Sequence, residues 1–136
     1  MAIIQITPQL AFDKLVNKEN SILIDVRTPE EFNFVGIVDA SKFNNRMILI
    51  PWQTLPQMQF NNNFANELTA KTSYNNELLF ICRSGGRSQQ ACELANQLGY
   101  ANCFNITNGF EGDLNSEGQR GKVNGWKALN LSWRQS

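Results

Sequence analysis

Leu78-Leu79-Phe80-Ile81-Cys82-Arg83-Ser84-Gly85-Gly86-Arg87-Ser88 reads as three pieces of structure in succession. The first four residues are an uninterrupted apolar run bounded by polar neighbours, the mark of a strand buried on both faces. Then come a thiol, two arginines and two adjacent glycines, the composition of a turn. From Ser88 to Leu98, the residues Ala91, Leu94, Ala95 and Leu98 recur at the helical period, and Gly99 closes the run. Strand, short loop and helix is the unit from which open α/β sheets are built.

The rest of the chain repeats that alternation. Ile3 to Ile6 predicts a first strand, and Thr7-Pro8 a helix cap and first helical residue for a helix reaching Val16. Ile22-Leu23-Ile24 predicts a buried strand ending at Asp25-Val26-Arg27. Thr28-Pro29-Glu30-Glu31 is a helix start, with Thr28 as cap, Pro29 at the first position and Glu31 closing a capping box. Met47 to Ile50 is a third strand, Leu78 to Ile81 the fourth and Cys103 to Ile106 the fifth. A weak helical pattern at Phe64, Ala65 and Leu68 crosses an asparagine-rich stretch, and a short helix is expected around Trp126 to Leu129. The reading is an α/β fold: a mainly parallel five-stranded sheet with helices on both faces. The length of 136 residues predicts one domain over 1–136.

Composition excludes several functions. Formal net charge is +0, so the molecule as a whole offers no field for nucleic acid or membrane. No apolar run spans a bilayer and no N-terminal leader pattern is present, which predicts a cytoplasmic protein. Histidine is absent, removing Ser-His-Asp triads, Cys-His pairs and histidine-ligated metals. Cys82, Cys92 and Cys103 match neither a disulfide framework nor a zinc site, and no metal or organic cofactor is expected. Cys92 and Cys103 read as core thiols. The tail carries Arg120, Lys122, Lys127 and Arg134 against Glu117; with the loop arginines these could form one basic mouth on a neutral body, or simply a solvated face.

The loop is where chemistry concentrates. A free cysteine is only about 3% thiolate at neutral pH, so a nucleophilic sulfur needs anion stabilisation. A helix N-terminus supplies part of it. Backbone N–H groups of Ser84, Gly85, Gly86, Arg87 and Ser88 could converge as an anion nest, with the glycines adopting the positive φ angles such a ring needs. Arg83 and Arg87 add charge and forked donors for an oxyanion. In open α/β sheets ligands bind beyond the carboxyl ends of strands, so parallel strands would bring Asp25, Arg27 and the Cys82 loop to one edge. These features leave phosphate and sulfur chemistry both open.

Cys82-Arg83-Ser84-Gly85-Gly86-Arg87-Ser88 resembles the active-site loop of rhodanese-like sulfurtransferases. Asp25-Val26-Arg27-Thr28-Pro29-Glu30-Glu31-Phe32 resembles that family's upstream signature. Gly109-Phe110-Glu111-Gly112-Asp113 with Asn124-Gly125-Trp126-Lys127 resembles the tail of small bacterial single-domain members. The likeness runs from about Ile3 to Arg134. It implies that Cys82 takes a sulfur from a small anionic donor such as thiosulfate, becomes a persulfide, and passes the sulfur to a thiol or protein acceptor, or to cyanide in vitro. It further implies that the loop amides hold the persulfide, that Arg83 and Arg87 steer the donor, and that Asp25 and Arg27 support the loop. Trp126 reads as a packing anchor for the tail or as a wall of the pocket. A monomer or homodimer is expected. Gly36-Ile37-Val38-Asp39-Ala40 departs from the family's Gly-His-Ile-x-Gly-Ala, and Leu129-Asn130-Leu131-Ser132-Trp133 from its Gly-Leu-Pro-Trp.

Two other functions compete. Cysteine phosphatases and arsenate reductases also cradle anions with a thiolate and an arginine, but at Cys-x5-Arg spacing, whereas Cys82 to Arg87 is Cys-x4-Arg. The smaller ring suits a persulfide better than a tetrahedral phosphate. A non-enzymatic rhodanese-like binding module usually lacks the cysteine, which this chain keeps.

Overall fold

The computed structural model describes residues 3–135. Its elements, in chain order, are β1 (Ile4–Ile6), α1 (Pro8–Asn17), β2 (Ser21–Asp25), α2 (Pro29–Phe34), β3 (Ile37–Val38), β4 (Met47–Leu49), β5 (Gln53–Thr54), β6 (Gln59–Phe60), α3 (Phe64–Lys71), β7 (Glu77–Ile81), α4 (Gly86–Leu98), β8 (Cys103–Ile106), α5 (Gly125–Ala128) and β9 (Trp133–Arg134). The five strands expected from the sequence form one sheet, in the order β1-β8-β7-β2-β4, and every pairing in it is parallel.

Alternation along the strands divides the interior in two. Leu79 and Ile81 on β7, with Leu23 and Ile106, face Ala11 and Leu15 of α1 and Trp126 of α5. Leu78 and Phe80, with Ile24 and Cys103, face Phe64 and Leu68 of α3 and Ala91, Cys92 and Ala95 of α4. The sheet thus has helices on both faces, and its apolar strands are covered on each side. Fully burying one such leucine or phenylalanine stabilises the fold by about 1.5–3 kcal/mol, so the two layers are its main support.

Helix starts follow the sequence closely. The Thr7 hydroxyl accepts from the Leu10 amide at the head of α1. Thr28 and Glu31 close the reciprocal capping box of α2, with Pro29 at its first position. The helix expected from Ser88 instead begins at Gly86, because Gly85 at φ +116° turns the chain so sharply that the next residue is already helical. Arg87 therefore belongs to the first turn of α4 rather than to a loop. Two further strand pairs were outside the sequence reading. β5 and β6 form a small antiparallel hairpin, and β3 pairs antiparallel with β9. The second pair fastens the end of the chain to the segment that follows α2, using both stretches where the family resemblance departs.

Candidate active site

Cys82 follows β7, next to the end of β2, with Ile81 in register with Asp25. Parallel pairing therefore puts Asp25, Arg27 and the Cys82 loop at one edge of the sheet. The alternation of β7 turns Cys82 toward α4, and the residue is buried. Its sulfur lies 3.1 Å from the Gly85 N–H, which donates to it, and 3.2 Å from the Ser88 hydroxyl. Of the loop amides, that of Gly85 is the one bonded to Sγ. The N–H groups of Gly86, Arg87 and Ser88 lie in the first turn of α4, where a helix has no intrahelical acceptor for them.

The segment after β8 grips the loop from beneath. The Cys82 carbonyl accepts from the Phe110 amide at 2.8 Å, and the Arg83 carbonyl from the amides of Glu111 and Gly112 at 3.0 and 3.1 Å. This contact requires Gly109. A Cβ there would sit 2.3 Å from the Cys82 carbonyl oxygen, and φ at Gly109 is +59°. Gly109 entered the sequence reading as part of a family motif; its role in the platform under the loop carries no local sequence signal.

The two signature residues upstream of α2 are both fully buried and bind each other. Arg27 Nη2 lies 2.7 Å from Asp25 Oδ2, and Arg27 Nε lies 3.0 Å from Asp25 Oδ1. Arg27 also donates to the Gly36 carbonyl at 2.8 Å and lies 4.3 Å from the centre of the Phe110 ring. Among the described residues, Asp25 is thus bonded to Arg27 and not to loop donors. Arg27 is a core ion-pair partner: it stiffens the floor of the site through Phe110 and does not project into the mouth.

The loop arginines have separate fates. Arg83 is exposed and, among the described residues, makes no ion pair. Arg87 donates both of its terminal nitrogens to Glu31, at 2.7 and 3.0 Å. Burial alone would raise the Glu31 carboxyl, but the Arg87 guanidinium and the Thr28 amide outweigh it and bring the group down to about 2. The sequence had shown Glu31 as a capping residue, which it is. Its second task, pairing across to α4, carries no local sequence signal.

A cleft of about 690 Å³ opens beside the loop, lined by Arg83, Arg87 and Arg120 but also by Glu30, Glu31 and Glu111. The expected basic mouth is therefore mixed in sign. Phe34, Leu55, Met58 and Leu114 supply an apolar rim. Lys127 is not part of a charged face; its ammonium lies 4.0 Å from the centre of the Trp133 ring and 3.3 Å from the Val35 carbonyl. Trp126 does not wall the cleft. It is fully buried, donates its Nε1 hydrogen to the Ser132 carbonyl at 2.9 Å and meets Phe12 edge to face. Cys92 and Cys103 are buried as well, and burial pushes both thiols up, that of Cys103 to about 11. Among the described residues no cluster of histidine, cysteine or carboxylate side chains could hold a metal ion. Nor is any helix long and apolar enough to cross a membrane.

Comparison with known proteins agrees with this geometry. The model of the rhodanese-like domain matches residues 9–115. An uncharacterized protein of Rickettsia rickettsii is 36% identical over 134 residues, covering 98% of this chain and 99% of its own. The crystal structure of Rv0390 from M. tuberculosis superposes with a TM-score of 0.91 at 36% identity, with complete coverage of both chains. A sulfurtransferase of Allochromatium vinosum is 29% identical over 97 residues, 71% of this chain and 75% of its own. The fold, the order of its three motifs and these matches together establish that the chain belongs to the rhodanese-like domain family.

Proposed function

We propose that this protein is a sulfurtransferase that carries a sulfane sulfur on Cys82. The observation that supports this best is the position of the sulfur. It sits beyond a parallel strand, one short turn before a helix N-terminus, with the Gly85 N–H directed at it. In the first step the Cys82 thiolate attacks the outer sulfur of a donor such as thiosulfate. A bond forms between Sγ and that sulfur, the donor's S–S bond breaks, and sulfite departs with the electron pair. The negative outer sulfur then lies where the first-turn amides of α4 and the charge of Arg83 favour it. In the second step a thiolate acceptor attacks the outer sulfur and Cys82 leaves as thiolate, which restores the site.

The cleft bears on the acceptor. Its volume far exceeds that of a small oxyanion, and Phe34, Leu55, Met58 and Leu114 give it apolar surface that a small anion does not use. A thiol carried on a larger molecule, including a protein, fits that rim better than cyanide, which serves as an acceptor only in the assay. Arg83 is then the loop's available cation for the donor, while Arg87 is engaged by Glu31.

Incubation with thiosulfate should add the mass of one sulfur atom to the intact protein, on Cys82, and Cys82→Ala should abolish the gain. Thiocyanate should form when cyanide is added. Phosphate release from an aryl phosphate, with no sulfur gained on Cys82, would overturn the reading in favour of a phosphatase.

A further inference from the structure

β8 reads Cys103, Phe104, Asn105, Ile106, and all four side chains are buried. One amide in such company needs partners for each of its polar atoms. Asn105 Nδ2 donates to Gln5 Oε1 at 2.9 Å, to Gln89 Oε1 at 3.2 Å and to the Gly85 carbonyl at 3.3 Å. The last of these is a backbone oxygen and can only accept. It fixes which way the amide faces: nitrogen toward Gly85, Oδ1 toward Ser88.

Ser88 is also buried, and its hydroxyl has three neighbours. Asn105 Oδ1 lies at 2.5 Å, the Gly85 carbonyl at 3.2 Å and Cys82 Sγ at 3.2 Å. A hydroxyl has one hydrogen to give. Two of its neighbours can only accept, and the nearer is a carbonyl oxygen at short range, so the hydrogen points there. Toward Cys82 the hydroxyl presents a lone pair. It can accept from an S–H group, but it cannot donate to a thiolate without giving up Asn105.

We propose that Asn105 is a positioning residue for Cys82, aiming the Ser88 hydroxyl away from the sulfur so that it withholds a hydrogen bond from the thiolate. The Gly85 N–H draws the sulfur toward the anion; the Ser88–Asn105 pair draws it back. The charged groups around the sulfur are Arg83 and Arg87 on its own loop and helix, the Asp25–Arg27 pair at the end of β2, Glu31 of α2 and Glu111 of the segment beneath. The pair adds a neutral control that none of these supplies. The inference concerns the same sulfur as the proposed activity but rests only on the free thiol, so either can fail while the other stands.

The test is a pH titration of thiolate ultraviolet absorbance in the full-length protein, with the Cys82→Ala signal subtracted. Asn105→Leu removes the nearest acceptor and leaves the Ser88 hydrogen to the Gly85 carbonyl or the sulfur, both at 3.2 Å, of which a thiolate is the stronger acceptor. The midpoint should fall, and the thiolate fraction on the rising part of the curve should grow about threefold, the size of one ordinary hydrogen bond. In a Ser88→Ala background the same substitution should produce no further shift. An unmoved or higher midpoint in Asn105→Leu would overturn the proposal, and so would an equal shift without Ser88. Should Asn105→Leu fail to fold, Asn105→Val, whose β-branched side chain suits a strand, carries the same expectations.

Discussion

Glu31 of α2 and Arg87 of α4 meet through two parallel hydrogen bonds, at 2.7 and 3.0 Å, so a carboxylate from one helix occupies the arginine that the sequence places in the anion-binding turn. The pair lies against the cleft. It lowers the positive charge that the cleft presents.

Glu31→Gln should release that charge while leaving an oxygen to serve the capping box. The KM for thiosulfate should fall about three- to tenfold, because a dianion gains a free guanidinium partner. The kcat should stay within about twofold, since the change acts on binding. Steady-state kinetics at low salt measures both. An unchanged KM would mean that Arg87 has no part in donor binding.

The same pair sets an acid limit on stability. The Glu31 carboxyl has an ordinary value of 4.5 and is held at about 2 in the folded protein. A depressed carboxyl contributes its stabilisation fully above its unfolded value and loses it as pH falls toward the folded one. The window is therefore about 4.5 down to 2, and the contribution at stake is on the order of 2–3 kcal/mol. Urea unfolding should show a drop in stability across that window, and Glu31→Gln should make it markedly shallower.

Breaking the core ion pair should cost far more than breaking a surface one. Arg27→Met leaves the Asp25 carboxylate fully buried with no counter-charge. A loss of about 3–5 kcal/mol is expected in chemical denaturation. Adding Asp25→Asn to Arg27→Met should recover part of it, because the stranded charge is then gone.

Gly109→Ala tests the platform beneath the loop. The new methyl carbon would overlap the Cys82 carbonyl at 2.3 Å, and the neighbour it meets is backbone. Either the loop shifts or the segment after β8 does. Sulfur uptake on Cys82, read by mass, should fall at least tenfold in protein whose circular dichroism remains that of the parent, since an ångström of displacement is enough for such a loss.

Cys92 and Cys103 should stay inert. Both are buried with raised thiols, so iodoacetamide at mildly alkaline pH should leave them unmodified in the native protein and label them in denaturant. Labelling of either in the native state would overturn their assignment as core thiols.

Much of this was legible in the residues. The five sheet strands announce themselves as apolar runs bounded by caps and turns, and Thr28-Pro29-Glu30-Glu31 spells out a helix start whose bonds are all local. What escaped the reading depends on contacts distant in sequence. The two-residue strands Ile37–Val38 and Trp133–Arg134 are too short to show any period and exist only because the chain end returns to them. Arg87 looked free because its partner lies on another helix. Asn105 passed as part of an apolar strand because the groups that satisfy it come from Gln5, Gly85, Ser88 and Gln89. Local order is written in neighbouring residues; the surroundings of the sulfur are written in the pairing of segments that only the fold brings together.

The grip on the loop carbonyls by Phe110, Glu111 and Gly112, and the pairing of β3 with β9, also have a meaning for synthesis. The residues that grip the loop carbonyls, Phe110, Glu111 and Gly112, are translated after Cys82, and so is β9. A growing chain that has reached only Cys82 therefore lacks that grip. The grip on the loop forms only once β8 and the segment beyond it have been made, so a product interrupted before residue 112 lacks the full set of contacts that hold the Cys82 and Arg83 carbonyls.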